Sequence, residues 1–455
     1  MSSGLVQKYN VAGPRYTSYP TVPYWEEEQF TRKAWEASFI KSFTESNSKE
    51  GISLYIHLPY CEAMCTFCGC NKRITVNHAV ELPYIKAVLK EWSLYLALVD
   101  EVPVISELHL GGGTPTFFSP QHLKLLIDGI FKHAMRSSDA AISFEGHPNN
   151  TTREHLQTLH DLGFNRVSYG VQDYNLEVQK AIHRVQPFEN VQTATLTARE
   201  IGYESVGHDL IYGLPFQKLE HVIHTIEKTI ELRPDRIAFY SYAFVPWIKG
   251  NGQRGFSQDH LPSPEEKRQQ YEVGKQLLED AGYVEIGMDH FALPTDELCI
   301  AMHNQQLHRN FMGYNASNTQ LMVGLGVSSI SDSWYGFAQN VKSITEYKKL
   351  LEQDIIPVYR GHLLTDEDLV IRKHILNLMC HFKTSWERNG NGYFNELPDV
   401  LIALKELEAD GLLELHADKI IVPECGRGYV RNICMAFDLR LKRKRPETQL
   451  FSMTI

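Results

Sequence analysis

Half of the chain's eight cysteines fall within ten residues: Cys61, Cys65, Cys68 and Cys70. The first three are spaced C-x3-C-x2-C, with Phe67 immediately before the last. Two or three intervening residues span on the order of 10 Å when extended. One loop can therefore wrap a small inorganic cube and offer a thiolate to each of three irons. Fully ligated cubes take four cysteines, so this spacing leaves one iron open to a small molecule. A zinc site would want two Cys pairs with a long spacer. Here Cys70 is crowded against Cys68 and no second pair follows. A disulfide framework would want an oxidising compartment and spread cysteines. Buried structural thiols are the bland alternative, and four in one Gly-containing loop argue against it.

The loop is entered from an apolar run, Leu54–Leu58, that reads as a strand. Further strand-like runs are Glu107–Leu110, Ala141–Glu145, Arg166–Val171, His208–Tyr212 and Arg236–Tyr240. Helical patterns lie between them: Leu82–Leu98, Gln121–His133, Arg153–Leu162, Val191–Ile201 and Leu219–Leu232. Such alternation means parallel strands with right-handed crossovers. Six units predict an α/β fold, a partial (β/α)6 barrel. Thr151-x-x-Glu154 reads as a capping box, and Ser263-Pro264-Glu265-Glu266 opens a later helix with Pro at its first position.

Ligands of parallel sheets sit at the carboxyl ends of the strands. Gly111-Gly112-Gly113-Thr114 ends the second strand, where glycines admit a ligand close to backbone. Glu145 ends the third strand, Gln172 the fourth, and Asp209 lies in the fifth. Arg184 follows and suits a bidentate carboxylate contact. Any one of these is as readily a satisfied structural group; their common rim favours a site. Of the 20 histidines, only His57 touches a motif, where orienting the loop is its expected role.

The three-cysteine loop with its aromatic and the Gly-rich strand end resemble the radical S-adenosylmethionine (SAM) enzymes. Further stretches narrow the resemblance: Lys8–Thr21, Cys68-Gly69-Cys70-Asn71-Lys72, Gly163–Arg166, Gly170–Asp173, Asp209–Pro215, Gly287–Ala292, Leu307–Phe311 and Arg431–Met435. Together they resemble the oxygen-independent coproporphyrinogen III oxidases over nearly the whole chain. The resemblance implies an oxidoreductase that decarboxylates two propionates of coproporphyrinogen III to vinyls, in porphyrin and haem biosynthesis. It implies one [4Fe-4S] cluster on Cys61, Cys65 and Cys68, two SAM molecules, and a low-potential electron donor. Carried over residue by residue, Tyr55, Gly112, Glu145 and Ile330 match contacts of the first SAM. Phe67, Gly113, Thr114, Gln172, Arg184, Asp209 and Ala243 match those of the second. One departure stands out. Where the family shows Glu-x-Asp-Pro, this chain has Glu145-Gly146-His147-Pro148. A haem chaperone of the same lineage is the alternative, and it lacks both the N-terminal arm and a counterpart of Cys70.

The arm is Lys8–Pro20, extended by Pro14 and Pro20 and rich in Tyr. With a net charge of −10, cations for an acidic substrate must be placed locally; Arg15 and Arg309 are the expected substrate contacts. The same charge offers no global field for nucleic acid. The basic run Arg440–Arg445 reads as a solvated helix end. Cys299, Cys380, Cys425 and Cys434 read as plain buried thiols. No apolar run reaches membrane-spanning length, and Met1–Gly4 opens no signal-peptide core; a cytoplasmic monomer is expected. The expected division is an arm (1–50), the barrel (51–290), an extension (291–360) and a C-terminal helical, winged-helix-like domain (361–455). That domain lacks a basic recognition helix, which argues against a DNA-binding iron–sulfur regulator.

Overall fold

The computed structural model describes residues 3–26, 28, 30–246, 253, 256–387, 390–444, 446, 448 and 450–454. Six strands run parallel and side by side: β1 (Ile52–Leu58), β2 (Val104–Gly112), β3 (Met135–Gly146), β4 (Arg166–Gln172), β5 (Ser205–Tyr212) and β6 (Arg236–Ser241). Each strand alternates by the two-residue period of the pleat. Leu54, Leu108, Phe144, Val167, Val206 and Phe239 pack outward into the main core. Tyr55, His109, Glu145, Ser168, Asp209 and Tyr240 turn inward and line cavities. The sheet is thus apolar toward its helices and polar within.

Two helices precede the sheet, α1 (Ser3–Tyr9) and α2 (Arg32–Ser46). The crossover helices are α3 (Glu81–Leu96), α4 (Pro120–Phe131), α5 (Arg153–Asp161), α6 (Leu176–Ala181), α7 (Phe188–Ile201) and α8 (Leu219–Leu232), with α9 (Pro264–Asp280) packed on α8. The α5 cap sits one residue later than the Thr151-x-x-Glu154 pattern suggests. Thr152 is the N-cap, and the His155 imidazole takes the reciprocal place of a glutamate. At α9, Ser263 and Glu266 form the expected box with Pro264 in the first turn.

The sheet extends beyond the barrel on both sides. β8 (His290–Ala292) adds antiparallel to β6, and β7 (Val284–Gly287) pairs antiparallel with β8 at the edge. After the ribbon β9 (His308–Asn310) and β10 (Gly313–Asn315), β11 (Met322–Leu325) joins β1 in parallel. β12 (Ile330–Asp332), β13 (Gly336–Asn340) and β14 (Val358–Leu363) continue antiparallel, making twelve strands. The C-terminal region combines α12 (Asp366–His381) and α13 (Leu397–Ala409), with intervening α10 (Glu297–His303) and α11 (Ile344–Glu352) belonging to the preceding segment. Three short strands, Lys383–Ser385, Glu414–Leu415 and Lys419–Ile421, form its small sheet, followed by α14 (Val430–Phe437).

Residues 1–50 are more than an arm. Trp35, Phe39 and Phe43 recur on one face of α2 and are buried in the main core. Within the arm, Tyr16 and Tyr19 are 2% and 1% exposed and belong to the C-terminal core. Truncating a buried aromatic of that size costs about 3–5 kcal/mol, so the arm is part of the C-terminal unit's own packing. Two surface expectations also change. Cys425 is exposed, unlike Cys299, Cys380 and Cys434. Arg440 is not solvated: it bridges the buried Asp368 at 2.8 Å and Glu26 at 2.6 Å.

Candidate functional site

The chain leaves β1 at Leu58 and enters the cysteine loop directly. Several bonds fix that loop. Gly113 N–H donates to Leu58 O at 2.8 Å, Thr114 N–H to Tyr60 O at 3.0 Å, and Arg73 N–H to Pro59 O at 2.7 Å. Thr66 N–H and Oγ–H donate to the carbonyls of Ile182 and Ala181, both at 3.0 Å, tying the loop to the end of α6. Gln253, itself buried, bridges Phe67 O at 3.3 Å and Ala243 O at 2.9 Å. His57 is the inner support. Its Nε2 lies 2.8 Å from Asn71 O, a pure acceptor, so Nε2 carries the proton and Nδ1 accepts from Tyr55 O–H at 3.1 Å. Gly112, at φ +111°, packs so closely on that ring that a Cβ would sit 2.6 Å from it.

Cys61, Cys65, Cys68 and Cys70 all line one cavity of about 380 Å³. Donors surround the sulfurs. Thr114 O–H points at Cys61 Sγ at 3.4 Å, and Arg184 Nη1 at Cys65 Sγ at 3.7 Å. Cys68 and Cys70 share a hydrogen bond, which with the nearby Lys72 draws the Cys68 thiol down while Cys70 moves up. Lys72 Nζ clamps the loop through Cys68 O at 3.1 Å and Cys70 O at 3.4 Å. Among the described residues no three His, Cys, Asp or Glu side chains converge on a single-ion geometry. A cube does not need that, because its irons sit on separate corners. Three cysteines on one loop, ringed by donors that compensate thiolate charge, fit a cluster.

The same cavity is lined by Phe67, Gly112, Gly113, Thr114, Glu145, Gln172, Arg184 and Asp209. Ala243 is outside it and joins the cluster loop only through Gln253. A second cavity of about 610 Å³ is lined by Tyr55, His57, Phe311, Met312 and Ile330, and shares Glu145, Cys70 and Lys72 with the first. The residues expected around the two SAM molecules are therefore spread over two cavities that meet at Glu145.

Gln172 adopts φ +69°, a left-handed conformation at the end of β4 where the register slips. Such strain costs of order 1–3 kcal/mol and collects at functional sites. Glu145 would be raised by burial, but His109 at 3.5 Å and Gly112 N–H at 3.3 Å outweigh it and hold the carboxyl below its ordinary value. Burial, then the Glu145 charge, pushes Asp209 up to about 7 despite a 3.0 Å bond from Ser168 O–H. His147, which stands where the family has Asp, is pushed down to about 3 by burial and the Arg184 charge and is neutral. Arg184 therefore gains no carboxylate from that position, and its buried Nε has no hydrogen-bond partner.

The two expected substrate cations differ. Arg15 is paired with Asp289 and is not open. Arg309 is 5% exposed, lies 4.5 Å from the Tyr314 ring, and its buried Nε and Nη1 lack hydrogen-bond partners among the described residues. His57 takes the loop-orienting role expected of it, whereas His109, Lys72 and Gln253 are functional supports that motif reading does not single out. Only His109 left a signal, through its two-residue offset from Glu107 on the inward face of β2.

The elevated Asp209 gives a prediction with a defined sign. A carboxyl raised in the folded state stabilises the fold below its unfolded value, near 3.9, and loses that contribution as pH rises through about 7. Asp209→Asn should therefore melt a few degrees above the parent at pH 8 and match it at pH 4, while binding SAM more weakly. Equal melting temperatures at both pH values would refute the assignment.

Residues 55–229 match the family model described as the Radical SAM superfamily. Over the whole chain the similarity is to curated oxygen-independent coproporphyrinogen III oxidases. The one from Synechocystis sp. is 38% identical, with 100% of this chain and 98% of that protein covered. The chain belongs to the oxygen-independent coproporphyrinogen III oxidase family. The Escherichia coli member is 37% identical over 99% of this chain and 98% of its own length. The solved structure of coproporphyrinogen III oxidase from Escherichia coli, described as a radical SAM enzyme, superposes with a TM-score of 0.88 at 35% identity, covering 96% of this chain and 98% of that one. The coproporphyrinogen III oxidase fold therefore carries the arm and C-terminal region as well as the barrel.

Proposed function

We propose that this protein converts two propionate side chains of coproporphyrinogen III to vinyl groups without oxygen, giving protoporphyrinogen IX in haem biosynthesis. The observation that carries the reading is the open-iron cysteine loop standing over two adjoining cavities, in a chain similar end to end to enzymes of that name. When bound, the [4Fe-4S] cluster with SAM supplies a hydrogen-abstracting adenosyl radical. Each propionate loses one hydrogen atom from the carbon next to the pyrrole. The bond to its carboxylate then breaks, CO2 leaves, and one electron passes to an acceptor.

The chain's own residues bind, orient and shield. Cys61, Cys65 and Cys68 would hold the cluster. The set Phe67, Gly113, Thr114, Gln172, Arg184 and Asp209 lines the cysteine cavity and would hold the SAM at the open iron. Asp209 and Glu145 suit ribose hydroxyls or an amine, and Arg184 a carboxylate. Tyr55, Glu145 and Ile330, matched above to the first SAM, line the larger cavity and would hold the SAM molecule that is not at the open iron. Arg309, buried with donors unpaired, would meet a propionate. A buried carboxylate left without a partner costs several kcal/mol. We infer further a monomer acting in the cytoplasm with a low-potential electron donor. No helix among the described residues is long and apolar enough to cross a membrane.

The test is anaerobic incubation with coproporphyrinogen III, SAM and a low-potential reductant. Two CO2 should appear per protoporphyrinogen IX, and Glu145→Ala or Arg184→Ala should lower turnover about 100-fold or more, the scale of losing a positioning contact. Stable haem binding without CO2 release, by protein with an intact cluster, would favour the chaperone reading instead.

A further inference from the structure

Beyond the rim, where β5 and β6 end, a cavity of about 50 Å³ is enclosed by three parts of the chain. Arg15 comes from the arm, Lys267 and Arg268 from α9, and Arg427 and Arg431 from the C-terminal region. Five cations thus face a space the size of one small anion. The two carboxylates there are already engaged. Asp289 pairs with Arg15, and Glu285 takes Lys275 at 2.6 Å and Tyr271 O–H at 2.7 Å.

Among the described residues, three of the cations have no acidic partner within ion-pair distance. Lys267 Nζ donates to Tyr242 O at 3.0 Å. Arg431 spends its guanidinium on the carbonyls of Gly13, Pro14 and Met453. Arg427 lies 4.6 Å over the Phe382 ring, and its Nε has no hydrogen-bond partner. Carbonyls and a ring face orient these cations without neutralising them. Burial, then Arg15 and Arg431, pulls Lys267 down to about 8, a sign of crowded like charge. Arg431 is 5% exposed, and Lys267 and Arg427 are half-buried; charge withdrawn from water is retained when it is paired, so the missing partner is an anion from outside.

The place of the cavity indicates which anion. Tyr240 lines the inner cavity with Asp209, and the next residue, Ser241, lines this one. Tyr242, whose carbonyl receives Lys267, directly precedes Ala243. The cavity therefore adjoins the radical site at one remove. We propose that Lys267, Arg431 and Arg427 form a carboxylate site that takes a propionate of the tetrapyrrole other than the one reacting. This rests on the function proposed above. It gives the arm a chemical role: Gly13 and Pro14 hold Arg431 in place, and Arg15 neutralises Asp289, which would otherwise repel the incoming carboxylate.

The experiment measures binding of coproporphyrin III, the stable tetracarboxylate, to the full-length cluster-loaded protein by fluorescence. Its tetramethyl ester and millimolar inorganic phosphate are the comparison probes. Lys267→Met should weaken coproporphyrin binding at least tenfold and leave the ester's binding unchanged. Lys267→Arg should restore most of the loss. Arg427→Gln, which breaks no backbone bond, should weaken binding in the same selective way. Iron content and melting temperature equal to the parent's show that the variants are folded. Parent-like coproporphyrin binding by both Lys267→Met and Arg427→Gln would overturn the site and leave the enzymatic function standing. A parent that turns over no coproporphyrinogen and binds no coproporphyrin would overturn both. Phosphate binding that Lys267→Met abolishes, with coproporphyrin binding untouched, would assign the cavity to a free anion and overturn the propionate.

Discussion

Cys61→Ser, Cys65→Ser and Cys68→Ser, each purified without oxygen, are expected to fall from about four irons per chain to less than about one, and to lose all turnover. Cys70→Ser is expected to keep its iron. The asymmetry follows from how the loop is built. Cys61 and Cys65 each receive a donor at sulfur, from Thr114 and Arg184. Cys68 completes the C-x3-C-x2-C spacing, whereas Cys70 is the crowded fourth sulfur two residues on, hydrogen-bonded to Cys68. A serine at position 70 preserves an O–H donor to Cys68. Iron content and visible absorbance read all four variants, and an iron-free Cys70→Ser protein would refute the scheme.

The parts of the fold that were legible are those governed by one strong period. Five of the six parallel strands begin and end within three residues of their sequence-predicted bounds, because each is apolar outward and polar inward, and the third begins six residues earlier; their common rim brings Glu145, Gln172 and Asp209 together. Where two signals competed, reading failed. The prolines and tyrosines of residues 8–20 drew attention from Trp35, Phe39 and Phe43, which mark α2 plainly at a four-residue spacing. β11 to β14 are short and Gly-rich, so their joining of β1 is set by tertiary pairing rather than by pattern. The cap of α5 moved by one residue because a histidine served where a glutamate was sought. Charge was the least legible property of all. Arg15 and Arg440 both read as open cations, and both are paired to acids hundreds or tens of residues away, Asp289 and Asp368. Within the site, ligands announce themselves by type and spacing. A support such as Gln253 does not, since its work lies in hydrogen bonds to the carbonyls of Phe67 and Ala243.

Gly113→Ala should damage activity far more than it damages stability. A Cβ at Gly113 would lie 2.7 Å from Pro59 C, 2.8 Å from Pro59 O and 2.9 Å from Leu58 O. All three are backbone atoms, so no side chain can swing aside. The backbone that must give way is the entrance to the cysteine loop, and it is held there by the 2.8 Å bond from Gly113 N–H to Leu58 O. Overpacking of this kind costs about 1–3 kcal/mol of stability, which a chain of this size survives. Geometry is the larger loss. Separating β2 from the loop moves Thr114 away from Cys61 and shifts the cysteines relative to Gln172 and Asp209. A misplacement of about 1 Å in a site that positions reactants costs on the order of 100-fold in rate. Gly113→Ala should therefore fold, retain reduced iron, and lose at least that factor in CO2 release. Gly69→Ala is the matched control within the same loop, because nothing lies within 4 Å of the Cβ it would add; it should turn over as the parent does. If Gly113→Ala and Gly69→Ala proved equally active, the contact between the end of β2 and the cysteine loop would not be what sets the site.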